Sequence, residues 1–185
     1  MAKRSPGVFE RKERDYYPTP DSAVKPLLPL LAPGTRFIEP CAGDGRLIEA
    51  LQIAGHVCVE AFDIEPQDDC IAKADARHWR RDGYVSSYGH RMIITNPPWA
   101  RPVLHALIDH LPRQHPTWLL FDADWAHTRQ AGPLLRTCHL IVSVGRVKWE
   151  PGSKHQGKDN CAWYFFADRE RIGEIRFRGR TDDDS

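Results

Sequence analysis

Asn96-Pro97-Pro98-Trp99 is the segment of the chain whose residue types could do the most chemistry, and it follows directly on the apolar run 91–95. Two prolines lock the backbone φ, so a primary amide sits at the start of a rigid exit from a strand. An amine conjugated to an aromatic ring is a poor nucleophile, because its lone pair is delocalised into the ring. The Asn96 side-chain oxygen and the Pro97 carbonyl, with Pro98 stiffening the turn, offer two acceptors for the hydrogens of such an amine. Preorganised acceptors favour the pyramidal form that attacks an electrophilic methyl group. Trp99 adds a large π-face for a base taken out of its stack. A stiff polyproline exit with Trp99 packed into the core is the alternative reading of these residues.

A methyl donor needs its own site, and a second constellation fits one. Glu39-Pro40-Cys41-Ala42-Gly43-Asp44-Gly45 places two glycines in a strand-to-helix turn, where backbone approaches a ligand closely or takes positive φ. The third glycine of the dinucleotide fingerprint is absent, since Arg46-Leu47 continues instead, so a nucleoside fits better than a pyrophosphate. Asp63, followed by Ile64, ends the next strand, where a carboxylate accepts from both ribose hydroxyls. Asp75, followed by Ala76, ends the strand after that, placed to accept from an adenine amine. Each aspartate alone reads equally as a turn or cap residue. In this order they point to a pocket for S-adenosylmethionine.

Candidate substrate contacts follow the same edge. Arg77, Arg80 and Arg81 flank His78 and Trp79 just after Asp75, and Lys148 with Lys154, His155 and Lys158 surrounds Trp149. Basic side chains of this kind bind phosphates while the tryptophans stack or wedge, although charge runs are also ordinary solvated surface. Asp122, Asp124 and Trp125 close another strand and are placed to hold a target base, with capping of the next helix as the alternative for Asp124. The chain has no GxSxG elbow, no HExxH and no metal-spaced cluster among its nine histidines. Metal-dependent and nucleophilic hydrolysis therefore find no support.

These residues need a scaffold that puts strand ends side by side. Short β-like runs alternate with amphipathic stretches, predicting an α/β fold around a mostly parallel sheet. Strands are expected at 35–39, 56–62, 71–74, 91–95, 117–121, 139–144 and 161–166, with helices at 21–31, 46–54, 102–111 and 125–135. Pro26 and Pro29 interrupt the first of these helices. Residues 1–14 read as a flexible basic arm, 15–168 as one catalytic domain and 169–185 as a polar tail. At 185 residues the chain has room for one ordinary domain, so substrate recognition is expected from loops and termini. A net charge of +1 leaves the partner open, because a neutral sum can hide local basic patches. Five scattered cysteines, no long apolar run and a polar N-terminus suit a soluble cytoplasmic protein without membrane or structural metal.

The ordered motifs resemble those of phage and prophage amino-group DNA methyltransferases, the compact adenine-N6 type without a separate target-recognition domain. In that resemblance Asp15 to Pro20, with Tyr17, Thr19 and Pro20, is similar to the N-terminal cofactor motif. The glycine segment corresponds to the second cofactor motif, Asn96-Pro97-Pro98-Trp99 to the catalytic motif, and the stretch from Gly145 to Tyr164 to a substrate-facing C-terminal region. The resemblance implies a Rossmann-like methyltransferase fold with a seven-stranded sheet whose last strand is antiparallel, S-adenosylmethionine as cofactor and adenine N6 in DNA as target. The family motif more often ends in Tyr or Phe than in Trp99. Related motifs serve enzymes acting on RNA bases or on protein glutamine, and a non-catalytic nucleic-acid-binding module of the same fold is a further alternative.

Overall fold

Alternation of side chains along the central strands builds the fold, because it sends apolar residues to both faces of one sheet. A computed structural model describes residues 17–81, 91–149, 157–169 and 173–180. The expected 1–14 arm and the candidate residues Lys154 and His155 lie outside these segments. The elements are, in chain order, α1 (Asp21–Val24), β1 (Arg36–Glu39), α2 (Arg46–Ile53), β2 (Val57–Asp63), β3 (Ala72–Lys73), β4 (Arg91–Thr95), α3 (Arg101–His110), β5 (Thr117–Asp122), α4 (Ala131–Leu134), β6 (Cys138–Gly145), β7 (Cys161–Phe166) and β8 (Arg176–Arg178).

Among the described residues the strands form one eight-stranded sheet in the order β3-β2-β1-β4-β5-β7-β6-β8. All neighbours pair parallel except β7, which is antiparallel to both β5 and β6. The α/β class and the mostly parallel sheet agree with the sequence reading. The strand count and the position of the antiparallel strand do not: β8 extends the sheet, lies in the segment read as a tail, and runs parallel to β6. The antiparallel strand is thus next to last in the chain. Arg-Phe-Arg is a short, charged edge strand with Phe177 largely exposed, and three such residues carry no hydrophobic pattern to read.

On β4 and β5, Ile93, Leu119 and Phe121 face the core under α3 and α4, whereas Ile94, Trp118 and Leu120 face the core under α1 and α2. Two predicted helices are broken. The segment 21–31 is helical only through Val24 and resumes as a 3-10 turn at Leu28–Leu30, since Pro26 and Pro29 lack the N–H a helix needs. The segment 125–135 splits into a 3-10 turn at Ala123–His127 and the single turn of α4, whose own Gly132 and Pro133 are poor helix formers.

Despite its shortness α1 is firmly placed. The fully buried Trp163 of β7 donates its indole N–H to the Ala23 carbonyl at 2.7 Å, while Val24 and Leu27 pack beside it. Trp163→Phe leaves that buried carbonyl without its donor, and it should lower the unfolding free energy by about 1–3 kcal/mol in urea denaturation. No change would mean that α1 is held by packing alone.

Candidate active site

The strand order reverses direction between β1 and β4, and in open α/β sheets ligands bind beyond the C-terminal strand ends at such a point. A cavity of about 930 Å³ opens there. Of the residues read from the sequence as cofactor-binding, Tyr17, Thr19, Glu39, Pro40, Ala42, Gly43, Asp44, Asp63, Ile64, Asp75, Ala76 and Asn96 line it. Pro20 and Gly45 do not. Pro20 precedes α1, and Gly45 stands at the start of α2 with φ 80°.

Gly43 takes φ 54°, which a side chain rarely adopts, and its N–H donates to Asp63 Oδ2 at 2.9 Å. The Glu65 N–H donates to Asp63 Oδ1 at 2.7 Å, and the Gln67 N–H to the Gly43 carbonyl at 2.9 Å. Asp63 therefore ties the glycine turn to the loop after β2, and lone pairs on both its oxygens are still available to hydroxyl donors. Ile64 leaves 45% of its surface exposed at the cavity, an apolar face suited to a flat ring. Across the cavity stand Val103 and Leu107 of α3. These two were missed at the sequence level, although their four-residue spacing on one helix face was available to find them. Asp75 lines the cavity and is also engaged by Arg77. Arg77 brackets its carboxylate through Nε at 3.0 Å and Nη2 at 2.6 Å, and those hydrogen bonds hold the Asp75 pKa down at about 2.

Asn96 sits where β4 ends, and its amide orientation is determined by its partners. Nδ2 donates to the Tyr17 carbonyl and to Thr19 Oγ1, both at 3.1 Å. Trp99 Nε1, a donor only, reaches the opposite atom, Asn96 Oδ1, at 3.4 Å. A flipped amide would set donor against donor at Trp99 and acceptor against acceptor at Tyr17. The segment before α1 thus aims the Asn96 oxygen. Pro98 also lines the cavity, and Trp99 borders a smaller pocket of about 120 Å³ with Ala100, Arg101, Asp122 and Asp159.

The candidate substrate residues separate into groups. Arg77 lines the cofactor cavity. Arg80 contacts His110 at the end of α3, and Arg81 contacts Gln114 beyond it. Because α3 runs back from the active edge, these two arginines belong to the opposite edge of the sheet. Trp79 is no free wedge either: it donates to Glu60 Oε1 at 2.7 Å and packs on Phe62. Trp125 is fully buried, donating to His105 Nε2 at 3.0 Å and packing against Phe121 and Tyr164, so it is a core residue out of substrate reach. Asp122 accepts from the Asp124 N–H at 2.9 Å and from Arg101 at 3.3 Å beside the smaller pocket, and Asp124 is exposed. Lys148 and Lys158 are exposed where β6 ends and β7 is about to begin, on the same edge as Asn96.

Glu39 is nearly inaccessible, and its Oε2 has no hydrogen-bond partner although the residue lines the cavity. Burial pushes its pKa well above the ordinary 4.5, the charge of Asp63 adds to the rise, and the Asn96 backbone N–H opposes it. An orphaned carboxyl oxygen beside a nucleoside-sized cavity suits an ammonium group on the ligand. Among the described residues no cluster of His, Cys, Asp or Glu could hold a metal, and no helix is long and apolar enough to cross a membrane.

No family model and no curated protein matches the sequence. Solved structures do match the fold. A candidate RNA methyltransferase from Pyrococcus horikoshii aligns with TM-score 0.54 and 18% identity over 90% of this chain and 93% of its own. The 23S rRNA methyltransferase ErmE aligns with TM-score 0.55 and 14% identity over 83% of this chain and 69% of its own. A dimethyladenosine transferase from Plasmodium falciparum aligns with TM-score 0.50 and 14% identity over 82% of this chain and 62% of its own. The chain has the Rossmann-like fold of S-adenosylmethionine-dependent methyltransferases.

The raised Glu39 pKa has a signed consequence for stability. The folded protein binds this proton more tightly than the unfolded chain does, so the associated stability is complete below pH 4.5 and is lost as pH rises through the folded value. Relative to Glu39→Gln, the wild type should lose stability steadily above pH 4.5 and level off once the carboxyl is ionised. Urea unfolding of both proteins across that range measures the difference, and a constant offset would contradict it.

Proposed function

We propose that the chain is an S-adenosylmethionine-dependent methyltransferase acting on the N6 exocyclic amine of adenine in DNA. The observation that carries this reading is the Asn96 amide, clamped through Nδ2 so that its oxygen is presented as an acceptor beside a nucleoside-sized cavity. Adenine in DNA rests on the resemblance of the ordered motifs to phage enzymes. RNA is the second reading, favoured by the similarity to the Pyrococcus horikoshii candidate RNA methyltransferase and to the 23S rRNA methyltransferase ErmE.

In this reading Asp63 receives the ribose hydroxyls, Ile64 with Val103 and Leu107 encloses the adenine ring, and Glu39 receives the α-ammonium group. S-adenosylmethionine, when bound, supplies an electrophilic methyl group on a positively charged sulfur. The residues of the chain act on the nucleophile. Asn96 Oδ1 and the Pro97 carbonyl accept the two amine hydrogens, which holds the nitrogen in place and draws its lone pair out of conjugation with the ring. No general base with a perturbed pKa is required, because the nitrogen becomes strongly acidic only after it has gained the methyl group, and solvent can then take the proton.

The test is incubation of the purified protein with methyl-labelled S-adenosylmethionine and unmodified DNA, RNA and protein in parallel, followed by digestion to nucleosides and amino acids. The reading predicts label in N6-methyladenine from DNA. Label confined to RNA would change the polymer, label in glutamine would overturn the nucleobase, and cofactor binding without transfer would leave a non-catalytic module. Asn96→Ala should lower kcat by roughly 10²–10³ while the cofactor still binds.

A further inference from the structure

We propose that the indole N–H of Trp99 is a resident competitor for the acceptor that the target amine needs, so that substrate must displace this side chain before Asn96 can act. The inference rests on the methyltransferase reading and concerns how access to that site is controlled. The clamp on Nδ2 leaves Oδ1 as the working atom of Asn96, and Trp99 Nε1 lies on it at 3.4 Å. Indole is a donor without an acceptor, so it mimics the N–H of the substrate at that oxygen. The contact is long, which suits a bond made to be exchanged. It also turns the edge of the ring toward Asn96, whereas a base can stack only on the face. Displacing the N–H and presenting the face are then one motion.

The surrounding contacts hold the ring in its blocking position. Trp149 stands edge-on to Trp99, with centroids 5.6 Å apart at 83°, and its ring centroid lies 6.1 Å from that of Tyr17. Beside Trp149 the Gly157 N–H donates to the Val147 carbonyl at 2.8 Å. A Cβ on Gly157 would lie 3.1 Å from Trp149 Nε1 and 3.1 Å from that carbonyl, so only glycine admits the indole there without displacing it. The ring has room to turn, because Trp99 also borders the small pocket formed with Arg101, Asp122 and Asp159. Trp149 and Lys148 share one loop, so a polyanion drawn to the lysine meets the brace first. Tyr or Phe in the fourth motif position has no ring N–H and cannot block Oδ1 in this way.

Two measurements test the proposal. In ¹⁵N-labelled protein, the indole N–H resonance of Trp99, assigned by its loss in Trp99→Phe, should move upfield and exchange faster with solvent in Asn96→Ala. An unmoved resonance overturns the contact. In methyl transfer with the polymer that the wild type modifies, Trp99→Phe keeps a stacking ring and removes the competitor. It should raise kcat/KM roughly two- to tenfold, the loss of one competing hydrogen bond, with the change carried by KM. An unchanged or higher KM overturns the proposal. If the wild type transfers no methyl group to any polymer, the functional reading has failed, and the resonance experiment still decides whether Trp99 occupies Asn96 Oδ1.

Discussion

The pair of hydrogen bonds from Asn96 Nδ2 to the Tyr17 carbonyl and Thr19 Oγ1 is the constraint on which the site depends. An amide side chain presents either its oxygen or its nitrogen, and at the end of a strand nothing in the backbone chooses between them. Here the Tyr17 carbonyl, an acceptor only, makes the choice from a segment nearly eighty residues earlier, and Thr19 Oγ1 accepts beside it. That segment must itself be held, and the Trp163 hydrogen bond to Ala23 holds α1 immediately after it. The chain of dependence runs from a buried indole on the antiparallel strand, through a four-residue helix, to the Asn96 side-chain oxygen.

The same economy governs the cofactor side. Asp63 is at once a candidate ribose ligand and the acceptor for the Gly43 and Glu65 amides, so one carboxylate both shapes the glycine turn and fixes the next loop. Glu39 is the opposite case. Its buried, unpartnered oxygen is a cost to the folded protein that a cationic ligand group would remove. Asp75 has already met its cation in Arg77, which leaves an adenine amine less of that carboxylate to bind.

Much of this arrangement is legible in the sequence because it depends on local pattern. The glycine turn, the aspartates after successive strands and the prolines after Asn96 are short-range signals, and the strands at 91–95 and 161–166 are read to the residue. What is not legible is set by tertiary packing. Trp125 and Trp79 look like stacking residues until Phe121, Tyr164 and Glu60 are found around them. Arg80 and Arg81 look adjacent to Asp75, but the loop carries them to the far edge of the sheet, against His110 and Gln114. Strand β8 needs the open edge of β6 to exist, and three residues cannot announce that. The indole contact at Asn96 Oδ1 depends on a rotamer, which no spacing encodes.

In the proposed methyl transfer the orientation of Asn96 matters as well as its presence. Thr19→Val tests this most directly, since it preserves the shape of the side chain and removes one of the two hydrogen bonds that hold the amide in place. Thr19→Val should lower kcat for methyl transfer about tenfold at saturating cofactor and substrate, the worth of one hydrogen bond in positioning the acceptor. An unchanged kcat in Thr19→Val, beside an inactive Asn96→Ala, would show that Asn96 acts without being aimed and would contradict the account.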